Sequence, residues 1–178
     1  IRRAASGTRV LREYECITYE SYGLCGKNRF GREISSVSGA DAVIIQQGIN
    51  DIIHPVGTEV NPFRPMSDLP SAEELEEGIN AYIRKAHDLK LKVYLGTLLP
   101  IYGWRTYAPF REELKNTFNE WVRANKETEG CIDFEKLLRS EENPAAFRQG
   151  FDSGDCLHPS ESAYKAMAEL AFAEISKR

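Results

Sequence analysis

The apolar run Ala42-Val43-Ile44-Ile45 is rich in β-branched residues and bounded by turn-forming neighbours, Ser38-Gly39-Ala40-Asp41 before it and Gly48-Ile49-Asn50-Asp51 after it. It predicts a strand buried on both faces that ends in a tight turn. Leu91 to Leu99 predicts a second strand, stopped by Pro100, and Cys131-Ile132-Asp133-Phe134 a short third one. Between them the spacing changes to that of helices. Leu75, Ile79, Tyr82, Ile83 and Ala86 fall on one helical face behind Ser71-Ala72-Glu73-Glu74, a capping-box pattern. Leu114, Phe118, Trp121 and Val122 mark a second helix. Ala163, Met167, Leu170, Ala171 and Ile175 mark a last one, with Ser160 as its cap. Lys27 to Val37 predicts a further short helix, and Glu135 to Arg139 a helical turn. Residues 52–70 carry Pro55, Pro62, Pro65 and Pro70, so regular structure is not expected there. A connection that long in a compact domain usually shapes a pocket. The alternation of strand and helix predicts an α/β protein, one domain over residues 1–178, with a parallel sheet covered by helices.

Composition narrows the classes. The chain has 178 residues and 42% hydrophobic residues, which suits an ordinary globular core. With 23 basic and 27 acidic residues the net charge is −4, giving no reason to expect a nucleic-acid partner. No apolar run approaches the roughly 20 residues of a membrane span. Cys16, Cys25, Cys131 and Cys156 form no CxxC pair, so a zinc ribbon or thioredoxin-type site is not expected. Four free thiols is the favoured reading, with a small Cys16–Cys25 disulfide loop as the alternative. The compartment stays open between secreted and cytoplasmic. The first residues, Ile1-Arg2-Arg3, show neither a methionine nor a leader.

Three histidines are available for chemistry. His87 lies near the end of an amphipathic helix and is expected in solvent. His54 follows Asn50 by four residues and is either a pocket residue or a plain loop histidine. His158 stands in Asp155-Cys156-Leu157-His158, where an acid three residues away can hold one ring nitrogen and leave the other as a general base. Asn50 supplies an amide donor just after the first strand, where open α/β sheets bind ligands. Both loops follow strands of a parallel sheet, so they are expected to converge on one edge. An amide with backbone N–H groups suits the oxyanion of acyl transfer.

Gly48-Ile49-Asn50-Asp51 resembles the Gly-x-Asn-Asp block of the SGNH hydrolases, also called GDSL-type lipases and esterases, and Asp155-Cys156-Leu157-His158 resembles their Asp-x-x-His block. Gly96-Thr97-Leu98-Leu99-Pro100 is similar to their fourth strand and its proline-ended turn. The resemblance covers most of residues 5–178. It implies a three-layer α/β/α sandwich with a flavodoxin-like parallel sheet. It also implies His158 as general base, Asp155 as its orienter, and Asn50 as an oxyanion donor beside the backbone of Ala4 and Gly7. Two departures stand out. The family's nucleophilic serine lies in a Gly-Asp-Ser block after the first strand, and no such block occurs here; Asp152-Ser153-Gly154 has a different order and belongs to the histidine loop. A strand and crossover helix take roughly 30 residues, so the chain is expected to be a truncated or nicked form, completed by an N-terminal fragment. In the second block, Arg2 falls at the family's asparagine and Ala4 at its first glycine, while Gly7-Thr8-Arg9 resembles Gly-Asn-Arg.

Three functional readings follow. The first is a serine-type ester hydrolase without cofactor or metal, its serine outside these 178 residues. Its substrate would be a small ester, an acetylated carbohydrate being favoured by the polar and aromatic loops. Asp51, His54, Tyr102 and Trp104 are the candidate substrate contacts. The second is an inactive relative that binds carbohydrate or ester without turnover. The third, least favoured, is a metal-dependent hydrolase using Asp51, His54, Asp155 and His158, although no dense ligand motif is present.

Overall fold

The computed structural model describes residue 1 and residues 3–177, and the backbone alone of residue 17. These gather into two compact units, one of Ile1–Val43 and Gln47–Val93, the other of Ile44–Gln46 and Tyr94–Arg178.

In the first unit, α1 (Gly26–Ser35) and α3 (Ala72–Asp88) pack together, with Phe30 stacked on Tyr82 at a 4.0 Å centroid distance. The predicted apolar face of α3 is the one buried: Leu75, Ile79, Tyr82, Ile83 and Ala86 are all shielded from solvent. Both bonds of the capping box form, Glu74 N–H donating to Ser71 Oγ and Ser71 N–H to Glu74 Oε2. The helix ends in a Schellman pattern, with Lys90 N–H on the His87 carbonyl and Leu91 N–H on that of Ala86, and Lys90 in the left-handed region at φ 60°.

The Gly48-Ile49-Asn50-Asp51 segment differs from the expected turn. It starts a short helix, α2 (Ile49–Ile53), with Gly48 as N-cap. Gly48 has φ 125°, and a Cβ there would stand 3.0 Å from Leu75 Cδ2, so both backbone and space demand glycine. Residues 54–65 are then irregular, as the prolines require, before a 3-10 turn over Met66–Asp68.

The sheet has the order β1 (Ala42–Ile45), β2 (Lys92–Gly96), β3 (Gly130–Ile132). β2 and β3 are parallel, with Tyr94 opposite Gly130, Leu95 opposite Cys131 and Gly96 opposite Ile132. β2 is covered as expected. β1 is not buried throughout: Ile44 is 41% exposed, because β1 is an edge strand among those described.

Three helices complete the second unit: α4 (Pro109–Ala124), α5 (Phe134–Leu138) and α6 (Glu161–Ile175). α6 packs on β3 and α5, and its Ser160 cap accepts from Ala163 N–H. α4 is pinned to the segment after β2 by Asn119, whose amide accepts from Leu98 N–H and donates to the Leu98 carbonyl.

Along α4 runs a charge network with a buried centre at Lys115 and Glu135 and half-exposed ends at Arg123 and Asp133. Lys115, fully shielded, donates to Glu112 and Glu135, and Arg123 donates to Glu135 and to both oxygens of Asp133. Burial opposes the charge on Glu135, but Lys115 and Arg123 hold its carboxyl below the usual range. All four cysteines are free thiols.

Candidate active site

In the first unit, α2 presents two neighbouring polar side chains to residues 7–11. Asn50 Nδ2 donates to the Thr8 carbonyl at 3.0 Å, which fixes the amide and uses one of its two hydrogens. Asp51 takes a different part from the expected substrate contact. It is 2% exposed, and its two oxygens accept the N–H groups of Val10 (2.7 Å) and Leu11 (3.0 Å). Burial pushes its carboxyl up to about 6, against the pull of those two N–H groups and of Arg9. Asp51 is a clamp that satisfies backbone donors.

His54 is buried as well. Its ring is buried against Tyr22, stacked at 5.9 Å, and its Nδ1 meets the Tyr14 hydroxyl. Tyr14, Tyr19 and Tyr22 form one aromatic cluster, and Tyr14 also carries the Arg9 guanidinium 4.0 Å above its ring. Arg9 is 1% exposed and paired with Asp68 at 2.7 Å. Gly7 sits at φ 72° with its carbonyl accepting from the Tyr14 hydroxyl, and Ala4 is exposed. Arg2, aligned with the family's asparagine, lies outside the described residues.

The second unit holds Asp155 and His158. Asp155 Oδ2 lies 2.5 Å from His158 Nδ1, the hydrogen bond anticipated from their spacing. Asp155 Oδ1 accepts the N–H groups of His158 (2.8 Å) and Leu157 (3.0 Å), and the Ser153 hydroxyl at 3.3 Å. Partial burial works against the Asp155 charge. The backbone N–H of His158, its ring and Leu157 N–H outweigh it and hold the carboxyl well below the usual carboxylate range. The acid thus stays ionised, fixes the proton on Nδ1 and leaves Nε2 as the acceptor. Ser153 turns its hydroxyl to the carboxylate and not to the ring.

The loop supplies this geometry from its own bonds. Cys156 N–H donates to Asp152 Oδ1, Ser153 N–H to the His158 carbonyl, and Asp152 bridges Pro159. Cys156 takes φ 63°, the left-handed turn that brings Asp155 and His158 to the same side.

The aromatic loop of residues 101–107 lies against this one. Ile101 and Tyr102 N–H both reach the Ala145 carbonyl. A Cβ at Gly103 (φ 92°) would stand 2.8 Å from Cys156 Sγ, so only glycine allows that approach. Trp104 meets the His158 ring edge-to-face, at 6.3 Å and 89°, and Arg105 stacks on Trp104 at 4.2 Å. Tyr102 is 49% exposed and packs perpendicular to Tyr107. Among the described residues, no three His, Cys, Asp or Glu side chains gather as metal ligands.

A model of the family described as GDSL-like lipase/acylhydrolase matches residues 5–171. The chain belongs to the GDSL-like lipase/acylhydrolase family. Its fold is that of solved members. A GDSL-like lipase from Bacteroides thetaiotaomicron aligns at TM-score 0.63 and 20% identity, over 97% of this chain and 73% of that one. An inhibitor-bound aryl esterase of M. smegmatis aligns at TM-score 0.62 and 15% identity, over 97% and 74%. A catalytic mutant of an acetylxylan esterase from Geobacillus stearothermophilus aligns at TM-score 0.59 and 18% identity, over 86% and 67%. No curated protein matches the sequence.

Arg9 and Asp51 both stand in segments that resemble family blocks, but the partners that hold them, Asp68 and the Val10 N–H, lie some 40 to 60 positions away and carry no local mark.

Proposed function

We propose that this GDSL-family chain provides the base and oxyanion machinery of a serine-type ester hydrolase acting on small or carbohydrate-linked acyl esters. The observation that carries the reading is the Asp155–His158 pair: a carboxylate held ionised, 2.5 Å from Nδ1, on a histidine whose side chain is 61% exposed. In this reading His158 Nε2 takes the proton from a serine hydroxyl as the oxygen attacks the ester carbonyl. The family resemblance assigns the oxyanion-donor role to the second amide hydrogen of Asn50 and to the backbone N–H groups of Ala4 and Gly7. The imidazolium then protonates the leaving alcohol, and water cleaves the acyl-serine by the same base. The nucleophilic serine is supplied from outside these 178 residues. The chemistry needs no cofactor.

An acyl ester of a sugar is the favoured substrate, since the loop that sets Trp104 against His158 also exposes the aromatic surface of Tyr102. The fold shared with an acetylxylan esterase is consistent with it. The test is hydrolysis of p-nitrophenyl acetate and of acetylated xylo-oligosaccharide by the full-length polypeptide. His158→Ala should abolish turnover, and Asn50→Ala should lower kcat about 100- to 1,000-fold. Binding of the acetylated sugar with no turnover would instead identify an inactive relative. Wild-type turnover in the His158→Ala protein would end the proposal.

A further inference from the structure

The second unit contains an aromatic contact that the base–acid pair does not itself explain. His158 lies on an exposed loop, where an imidazole ordinarily samples several rotamers. Asp155 holds it at one atom only, which fixes a distance but leaves the ring able to swing about that bond. Trp104 stands perpendicular to the ring, in the edge-to-face arrangement that aromatic pairs favour. The Arg105 guanidinium stacks on the Trp104 indole, and the preceding Gly103 brings this loop down onto Cys156. The indole Nε1 is closed to solvent and has no acceptor among the described residues. Buried tryptophans normally satisfy that donor. Here the ring is kept in place without it, so its position is set by ring contacts and not by its polar atom.

We infer that Trp104 is a positioning residue for the reaction, a wall that confines the His158 imidazole to the rotamer in which Nδ1 faces Asp155 and Nε2 faces the reacting hydroxyl. This rests on the reading of His158 as the general base. Asp155 bonds the ring from its own loop, and Arg105 places its charge on the Trp104 indole. The wall needs a flat ring and not an indole N–H. Phenylalanine should therefore serve in its place, and alanine should not.

The experiment compares Trp104→Ala with Trp104→Phe in the full-length protein. Trp104→Ala should lower kcat about 3- to 10-fold, the range set by the loss of one aromatic pair, with KM little changed. Trp104→Phe should restore most of the kcat. A second readout does not depend on turnover. In 15N spectra of the neutral His158 ring, the Nδ1–H tautomer should dominate in the wild-type and Trp104→Phe proteins. In Trp104→Ala the unwalled ring should leave Asp155 part of the time, and the Nδ1–H share should fall towards the Nε2–H form that a free histidine side chain prefers. Circular dichroism of each variant checks that it is folded. A folded Trp104→Ala protein with the wild-type tautomer would overturn the inference, as would Trp104→Phe behaving like alanine. If no variant hydrolyses an ester but the tautomer shifts as stated, the positioning role stands and the hydrolase reading falls.

Discussion

Replacing Asp155 with asparagine removes one charge and keeps the shape, and the structure dictates what the amide must do. On one side the carboxylate meets three donors: His158 N–H at 2.8 Å, Leu157 N–H at 3.0 Å and the Ser153 hydroxyl at 3.3 Å. On the other it meets the ring Nδ1 alone, at 2.5 Å. An asparagine has one acceptor oxygen. Three donors outweigh one, so the oxygen stays with the backbone and the NH2 group turns to the ring. Two donors cannot face each other, so the imidazole must move its proton from Nδ1 to Nε2, the nitrogen that has to be bare for base catalysis. The loop keeps its fold and loses its base. General-base catalysis is worth about 100- to 10,000-fold, which is about 3 to 5.5 kcal/mol of barrier. The assay is steady-state hydrolysis of p-nitrophenyl acetate by full-length wild-type and Asp155→Asn protein, both checked by thermal melting. We expect kcat to fall within that range and KM to hold. Wild-type kcat, or a loss confined to KM, would refute the reasoning. The same substitution should change acid stability. Asp155 is held below its unfolded value, so its stabilising contribution is present above the ordinary carboxylate range and is lost as pH falls through the folded value. The wild-type protein should lose that contribution on acidification, and Asp155→Asn should lack the corresponding slope.

Asp51 carries the opposite sign. Its folded value of about 6 lies above that of an unfolded aspartate, so the folded chain binds the extra proton and stability should decline as pH rises from about 4 to 6. Asp51→Asn should flatten that decline in urea melts taken across the window. Asp51→Ala leaves the Val10 and Leu11 N–H groups without acceptors and should cost about 2 to 5 kcal/mol at pH 7, read from the urea midpoint. Lys115→Met leaves Glu112 and Glu135 buried with one cation fewer. It should cost about 3 to 5 kcal/mol in the same melts, and an unchanged midpoint would show that Arg123 alone suffices for Glu135.

The local elements were legible because their determinants lie within one turn or one strand. Ser71 and Glu74 announce a helix start, and the spacing of Leu75, Ile79, Tyr82 and Ile83 gives the face it buries. Asp155 and His158 are three residues apart, so their pairing needs no knowledge of the rest of the fold. Where the sequence was silent, a partner distant along the chain set the surroundings. Asp51 is held by the Val10 and Leu11 N–H groups. His54 is enclosed by tyrosines 32 to 40 positions upstream. Arg111 and Lys115 share a helical face with Phe118 and Val122 and are buried with them, and the acid that keeps Lys115 there, Glu135, comes from beyond β3. Ile44 reads as core by composition, but its coverage depends on sheet order, which β-branched content does not encode.

The loop over residues 150–159 takes its shape from itself. Asp152, Ser153, Asp155, Cys156 and His158 bond almost wholly to one another, and Ser160 ties the end back to the Gly150 carbonyl. Such a segment behaves as a cassette. Its contacts close over a few residues, so it can organise early and without waiting for distant chain segments to arrive. Substitutions elsewhere can then drift, altering stability, while the backbone turn that sets Asp155 beside His158 is inherited intact. Grafted between a strand and a helix of an unrelated parallel-sheet protein, these ten residues should bring that turn with them, and the imidazole would need a ring in the place of Trp104 to stay aligned.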